Sequence, residues 1–423
     1  MSPFRGAALR YALAAGGPVA TAAAHLLLSL VMLRTLEPAQ FGTFAFLLLI
    51  AQLSWGIWSA LFCAPLPILL HRETDGRPDP ALGSMFRANL AAAALAFLLF
   101  LAVAFRLHGE LVPALLFATF AAIALLRWYA RAYAYALETP LRTMISDWTY
   151  STVLIVSTAA IAVTGEAALS LVYLCLAIGA LLGLIPFGKA YLVAQFRPRA
   201  GALKDYSEVW RRYSGWSLVG VITTEAMANA HAYIVTSLHG PAAFALLASA
   251  ALLSRPVGVA MNALADFERP RIAPLVARDP RLALPAIRGF RLALIGTWLA
   301  NAVAACVLLL VMPGLIYPPS YDRTELAIAV ALWFLVTLAR LTRVPASVLL
   351  QAGGRFRPLA RTSTVSAIVS VASVGVLIAA FGTLWSILGV LIGESVCALL
   401  VVRELRRWKR SWESAAPQPA PSV

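Results

Sequence analysis

Charge is scarce in this chain of 423 residues, because Asp, Glu, Lys and Arg together make up only 13% of it. Soluble domains carry about a quarter of their residues as charged side chains. Hydrophobic residues reach 61%, and the mean hydropathy is +0.82. Such a chain has too few polar groups to cover a water-soluble core, so the composition predicts a polytopic membrane protein.

Cysteine is scarce as well. The four cysteines lie inside or at the ends of apolar stretches, without CxxC spacing and without a nearby histidine at metal-ligand distance. We interpret them as reduced packing residues and expect neither a metal site nor a cofactor. No small-residue cleavage pattern follows the first apolar stretch, so we expect this stretch to remain as a membrane anchor.

Long apolar runs, by contrast, fill the chain. A helix that crosses a bilayer needs about 20 mainly apolar residues, because lipid leaves the backbone to satisfy its own hydrogen bonds. Twelve runs meet this rule: 11–33, 43–66, 85–105, 111–132, 148–164, 168–193, 214–238, 242–265, 290–312, 326–349, 362–381 and 384–402. The sequence therefore predicts an all-α polytopic membrane protein with twelve transmembrane helices.

The basic residues indicate the orientation of these helices. Every second loop is rich in Arg and Lys, whereas the loops on the opposite side keep only Arg34, Arg106 and Arg323. Basic residues near short loops resist translocation, so we expect both termini in the cytoplasm. Orientation and attraction to anionic lipid also explain the net charge of +15, and we expect no nucleic-acid partner.

The second half of the chain repeats the first. A shift of 203 residues pairs Pro38 with Pro241, and a shift of 213 pairs Arg127 with Arg340. Two six-helix lobes in parallel are typical of transporters that rock one lobe against the other. The predicted division is an N-terminal lobe at 1–200, a C-terminal lobe at 201–412 and a disordered cytoplasmic tail at 413–423.

Two segments suggest a family. The segment from Leu33 to Phe46, LRTLEPAQFGTFAF, resembles the end of helix one and the start of helix two in bacterial polysaccharide exporters. These exporters belong to the MATE-like multidrug/oligosaccharidyl-lipid/polysaccharide flippase superfamily. The segment from Leu349 to Arg357, LLQAGGRFR, resembles their turn after helix ten. With the twelve spans and the 6+6 repeat, the resemblance covers essentially the whole chain.

The resemblance implies a fold and a function. The fold would be two six-helix lobes around a central cavity lined by helices one, two, seven and eight. The function would be alternating-access flipping of an isoprenyl diphosphate-linked oligosaccharide to the outer leaflet of the bacterial inner membrane. The product would serve lipopolysaccharide or exopolysaccharide synthesis. Implied partners are the bilayer, a polysaccharide polymerase and a chain-length regulator.

Ionisable groups at mid-membrane cost about 2.5 to 3.5 kcal/mol to insert, so each is a functional candidate. Glu225 and Arg255 fall at similar depths of helices seven and eight, and Asn229 lies one turn after Glu225. Gln52 is the repeat equivalent of Arg255, and His25 precedes the equivalent of Asn229. All five are on helices that the resemblance places around the cavity.

Arg255, together with His25, would attract the diphosphate through guanidinium donors. Glu225 would release Arg255 on taking up a proton or a cation, and so couple transport to an ion gradient. The alternatives are a permanent Glu225–Arg255 bridge between two helices, and a His25 that only packs against a neighbouring carbonyl.

Four arginines form a second group of candidates. Arg127 and Arg131, and likewise Arg340 and Arg343, lie near the cytoplasmic ends of helices four and ten. They could draw in an anionic headgroup or simply reach to the interface. For Glu394, deep in helix twelve, the favoured interpretation is a hydrogen bond to another helix.

Other functions fit less well. A multidrug exporter of the same superfamily would favour surplus carboxylate in its cavity, and a major-facilitator loop motif is missing at 71–87. A polysaccharide polymerase or ligase would need a sizeable outer loop with catalytic groups, whereas the longest one spans only 313–325. A scaffold would leave the mid-membrane charges unexplained. We therefore expect a transporter without catalytic residues.

Overall fold

The computed structural model describes residues 3–70, 73–74, 77–78, 80–165, 168–196, 203–311, 314, 317–318 and 321–414. Helices dominate them: α1 (Pro3–Thr35), α2 (Pro38–Trp58), α3 (Leu66–Leu70), α4 (Pro80–His108), α5 (Leu111–Ala136), α6 (Pro140–Thr164), α7 (Leu169–Leu182), α8 (Lys189–Phe196), α9 (Tyr206–Val209), α10 (Gly215–Arg278), α11 (Leu284–Val311), α12 (Arg323–Ala352), α13 (Phe356–Phe381) and α14 (Ser386–Ser414). Two short strands, β1 (Glu73–Thr74) and β2 (Arg77–Pro78), pair antiparallel.

Ten helical stretches within the described residues are long and apolar enough to cross a membrane. One of them, Ser217–Ala265, has 49 residues and bends at Gly240, so it provides two crossings. The helix α6 is less apolar than these stretches, because Arg142, Asp147 and many Ser and Thr residues interrupt its apolar run. With α6 added, the helices give twelve crossings, and the predicted all-α polytopic fold is confirmed.

Local sequence sets several helix ends. Proline begins α2 at Pro38 and α6 at Pro140, where its missing N–H would have no partner in any case. Asp322 caps α12 by accepting hydrogen bonds from two backbone N–H groups, at 2.9 and 2.8 Å. Gly240 adopts a φ of 81° and interrupts α10 between the predicted helices seven and eight.

The chain forms two compact units. Unit 1 consists of Met1–Ile222, Thr236–Ser249 and Ile316–Ser320, and unit 2 consists of Thr223–Val235, Ala250–Leu315 and Tyr321–Val423. The lobe boundary at residue 200 stays a prediction. Of the predicted disordered tail, residues 413 and 414 end α14, and the rest lies outside the described residues.

Each unit has its own helix packing. In unit 1, α1 packs against α6, α4 against α5, and α7 against both α5 and α6, around fully buried rings such as Tyr129, Tyr173 and Phe117. In unit 2, α14 packs against α12 and α13. These contacts bring the basic residues of α5 and of α12 next to carboxylates on neighbouring helices.

The end of α2 contains an irregular turn. Residues Ser59–Cys63 wind as one π-helical turn, and Pro65 has no N–H to donate to the carbonyl of Leu61 four residues earlier. The hydroxyls of Tyr206 and Ser214 donate to this carbonyl instead, both at 2.7 Å. Burial raises the pKa of Tyr206 above its usual value.

Candidate functional site

The first basic cluster lies in unit 1. Arg127 and Arg131 are one turn apart on α5, and both contact Asp147 on α6. The Nη2 atom of Arg127 donates to Oδ1, and that of Arg131 donates to Oδ2 at 3.0 Å. Asp147 is 1% exposed, and the two arginine side chains are 8% and 12% exposed. The cluster is thus a buried carboxylate shared by two guanidinium groups.

Further contacts enclose Arg127. Its Nε donates to Ser146 Oγ at 3.0 Å, and its guanidinium carbon lies 4.7 Å from the centre of the Tyr150 ring. Two glycines leave no spare room: a Cβ on Gly183 would lie 2.7 Å from Arg127 Nε, and one on Gly17 would lie 2.5 Å from Asp147 Oδ2. Close helix packing therefore seals this cluster.

The cluster belongs to a closed ring of side chains from α1, α2, α5 and α6. Arg131 lies over the Trp128 ring at 4.7 Å, and Trp128 stacks on Trp55 at 5.3 Å. The Trp55 and His25 rings form a T-shaped pair with centres 6.4 Å apart, and His25 Nε2 lies 2.9 Å from Tyr150 Oη. The ring then closes through Arg127. His25, a predicted substrate residue, is thus buried against this cluster.

The second basic cluster lies in unit 2. Arg340 and Arg343 on α12 both contact Glu394 on α14, which is 0% exposed. Here each arginine uses its Nε atom, at 2.6 Å and 3.0 Å from the two carboxylate oxygens. The arginine side chains are 25% and 18% exposed. The interhelical hydrogen bond predicted for Glu394 is confirmed.

The terminal nitrogens of the two clusters differ. Within the described chain, the Nη atoms of Arg340 and Arg343 make no hydrogen bond, and none of them is buried without a partner. In unit 1, by contrast, one Nη atom of each arginine donates to the carboxylate, and Arg131 Nε is buried. Both clusters hold two arginines and one acid, but unit 2 leaves both Nη atoms of each arginine open, whereas unit 1 leaves only one of each.

Small residues position Glu394. A Cβ on Gly393 would overlap the Ser370 side chain, and one on Gly389 would lie 2.6 Å from the backbone nitrogen of Val374. Glycines four residues apart let two membrane helices approach closely. The resulting contact between α13 and α14 fixes the rotation of α14, and so directs Glu394 at α12.

The remaining predicted residues are divided between the units. In unit 2, Asn229 Nδ2 donates to Glu225 Oε2 at 2.6 Å, as their one-turn spacing allows, and Arg255 is partly buried. In unit 1, Gln52 is exposed. The structure thus joins Glu225 to Asn229, and the role of these residues in binding stays a prediction.

Sequence reasoning missed one carboxylate, one tyrosine and one histidine. Asp147 was not among the candidates because the predicted fifth span began at residue 148, which placed this carboxylate outside the membrane. Tyr150 and His231 are ordinary members of apolar helices by sequence, although His231 is buried and forms a T-shaped pair with Trp333, with ring centres 5.1 Å apart. No cluster of three His, Cys, Asp or Glu side chains suited to a metal occurs among the described residues.

Comparison with known proteins establishes the fold. No protein-family model and no curated protein matches the sequence. Among solved structures, the inward-facing conformation of a multidrug resistance MATE family transporter of the MOP superfamily matches with a TM-score of 0.71 and 13% identity. The match covers 93% of this chain and 96% of that one.

Two further structures show how widely this fold is shared. A MOP superfamily transporter from Pyrococcus furiosus, described as having a binding pocket of reverse polarity, matches with a TM-score of 0.61 and 14% identity over 96% of both chains. A eukaryotic MATE transporter matches with the same score and identity, over 96% of this chain and 98% of that one. The chain therefore has the helical fold of these transporters.

Proposed function

We propose that the protein is a membrane transporter that flips an isoprenyl diphosphate-linked oligosaccharide across the bacterial inner membrane. The lipid-linked sugar would move from the cytoplasmic to the outer leaflet by alternating access, for cell-surface polysaccharide synthesis. The observation that carries the proposal is the surplus of arginine in both clusters, where two guanidinium groups share one carboxylate. Each cluster thus has a net charge of one positive unit.

This surplus favours an anionic cargo. Two unit charges about 4 Å apart interact by about 4 kcal/mol at the effective dielectric constant of a protein surface. A cluster with a net positive charge therefore repels a cationic drug and attracts a phosphate group. Guanidinium groups also match phosphate oxygens with paired donors, which an ammonium group does not.

The proposed orientation fits a cytoplasmic origin of the cargo. With both termini in the cytoplasm, the ends of α5 and α12 that carry the arginines face the side where lipid-linked sugars begin their path. Glu225, hydrogen-bonded to Asn229, is our candidate for the residue that couples transport to a proton or cation gradient. A polymerase and a chain-length regulator would then use the flipped product.

Multidrug export is the second candidate. It is supported by the fold, because the first structure compared above is a multidrug resistance transporter. The pocket of reverse polarity in the Pyrococcus furiosus protein is a reason to weigh charge above fold in choosing between the two.

The deciding experiment measures lipid-linked oligosaccharide on each leaflet in cells that lack the protein. We expect intermediates to accumulate on the cytoplasmic leaflet, wild type to clear them, and Glu225→Gln to clear them at most a tenth as fast at normal membrane levels, since one charged group of this kind contributes about 1.5 to 3 kcal/mol. Susceptibility to cationic drugs is measured in parallel. Normal leaflet distribution with raised drug susceptibility would favour multidrug export instead.

A further inference from the structure

We infer that the free guanidinium ends of Arg340 and Arg343 form a binding site for one phosphoryl group of a diphosphate, with Glu394 as the residue that positions them. The inference deepens the proposed function and rests on it. It assigns the two arginine clusters different tasks: the pair on α12 binds the anion, and the pair on α5 holds unit 1 together.

The donors of the α12 pair are aimed by their contact with Glu394. A guanidinium group has five N–H donors, of which one is on Nε and the others are on the Nη atoms. Arg340 and Arg343 each give the Nε donor to Glu394, at 2.6 and 3.0 Å. The remaining donors of both side chains are accessible and make no hydrogen bond within the described chain. Two parallel forks of this kind suit the oxygens of a phosphoryl group.

The charge of the site also matches one phosphoryl group. Two arginines and one carboxylate leave a net charge of one positive unit, which a single phosphodiester group neutralises. Glu394 makes no contact with the anion in this arrangement, because both of its oxygens are used by Nε donors. It keeps the two guanidinium groups side by side and limits their mutual repulsion.

The pair on α5 is less suited to bind an anion. Asp147 accepts from the Nη2 atom of each arginine, Ser146 accepts from Arg127 Nε, and the Tyr150 ring covers the guanidinium face of Arg127. Gly17 and Gly183 pack against Asp147 and Arg127 so closely that an added Cβ has no room. Only the two Nη1 atoms, on side chains that are 8% and 12% exposed, are left for an anion.

Direct binding to the purified protein tests the assignment. The full chain is placed in nanodiscs of zwitterionic phosphatidylcholine, and the affinities for farnesyl diphosphate and for farnesol are measured by titration. The readout is the affinity for farnesyl diphosphate divided by the affinity for farnesol, because partial unfolding lowers both affinities together. Binding of inorganic pyrophosphate, and competition by phosphatidylglycerol in the nanodisc, distinguish a lipid-linked diphosphate from a free phosphate and from a membrane headgroup.

The joint change Arg340→Gln and Arg343→Gln should lower the ratio about tenfold or more, because it removes hydrogen bonds between charged groups. Replacement of both by Lys keeps the charge but removes the forks, so an intermediate loss is expected. Glu394→Gln should also lower the ratio although it makes the site more positive. A raised ratio in Glu394→Gln would show that the net charge of the site alone determines diphosphate binding, and would overturn the positioning role of Glu394.

Arg355 provides the matched control. It belongs to unit 2 and pairs with Glu404 at 3.1 Å, but its side chain is 44% exposed on the surface. Arg355→Gln should leave the ratio unchanged, and the joint change Arg127→Lys and Arg131→Lys should lower it less than the α12 variants do in the folded fraction. The assignment fails if the α12 variants keep the wild-type ratio, or if the α5 variants lose as much. The leaflet assay remains a separate test, since it can succeed when this assignment fails.

Discussion

The two arginine clusters have the same number of arginines and acids but differ in exposure. In unit 1 the carboxylate contacts one end nitrogen of each guanidinium group, and the Tyr150 ring lies over that of Arg127. In unit 2 the carboxylate meets the Nε edges, which leaves the ends open. We propose that the contact point of the acid on the guanidinium group, and not the count of charges, decides whether such a cluster serves as a structural bridge or as a binding site.

The largest effect should come from Asp147→Asn. The change leaves two buried arginines without their carboxylate, and breaking a buried pair in this way costs about 3 to 5 kcal/mol. Thermal unfolding of the purified protein in detergent should show the loss. Glu394→Gln should cost less, about 1 to 3 kcal/mol, because its arginines are more exposed than those of unit 1. Equal losses would remove the distinction between the clusters.

A smaller effect is expected from Gly17→Ala. The added Cβ would lie 2.5 Å from Asp147 Oδ2, and overpacking of this kind typically costs about 1 to 3 kcal/mol. The adjacent Gly16 is the matched control, because a Cβ there would meet only Trp148 Nε1, at 4.0 Å. Gly16→Ala should be neutral or stabilise α1 by about 0.5 to 1 kcal/mol. If the Gly17→Ala and Gly16→Ala variants unfold at the same temperature, the packing of α1 against Asp147 has room for an extra methyl group.

The smallest effect should come from Tyr150→Phe, which keeps the ring over Arg127 but removes the hydroxyl next to His25. Loss of one buried hydrogen bond lowers the free energy of unfolding by about 0.5 to 1.5 kcal/mol. Tyr173→Phe removes a similar contact with His108, at 3.2 Å and only partly buried, and should cost less. A larger loss in Tyr173→Phe would argue against the closed ring as a distinct feature of unit 1.

Sequence periodicity and charge predicted the fold well, because both are local properties of each span. Alternation of basic loops identified twelve crossings, and the break expected between helices seven and eight occurs at Gly240. The repeat paired Arg127 with Arg340, which indeed occupy corresponding clusters. The superfamily resemblance agrees with the fold of the solved structures, and its polysaccharide branch remains a proposal.

The carboxylates could not be predicted in the same way. The repeat shift of 213 residues places Ala360 opposite Asp147 and Leu181 opposite Glu394, so neither acid has an equivalent. Unit 1 takes its acid from the helix that follows the arginines, and unit 2 takes it from α14. Which neighbour lies close enough depends on small residues such as Gly393, and that is a property of packing between helices.

The carbonyl of Leu61 has a consequence for motion in unit 1. Proline at position 65 removes the N–H that would otherwise satisfy it, so straightening the helix cannot restore the hydrogen bond. If the segment with Tyr206 and Ser214 moved away, it would leave a bare oxygen among apolar side chains, at a cost of about 1 to 3 kcal/mol. We therefore expect the end of α2 and the segment that leads into α10 to move together as one rigid element.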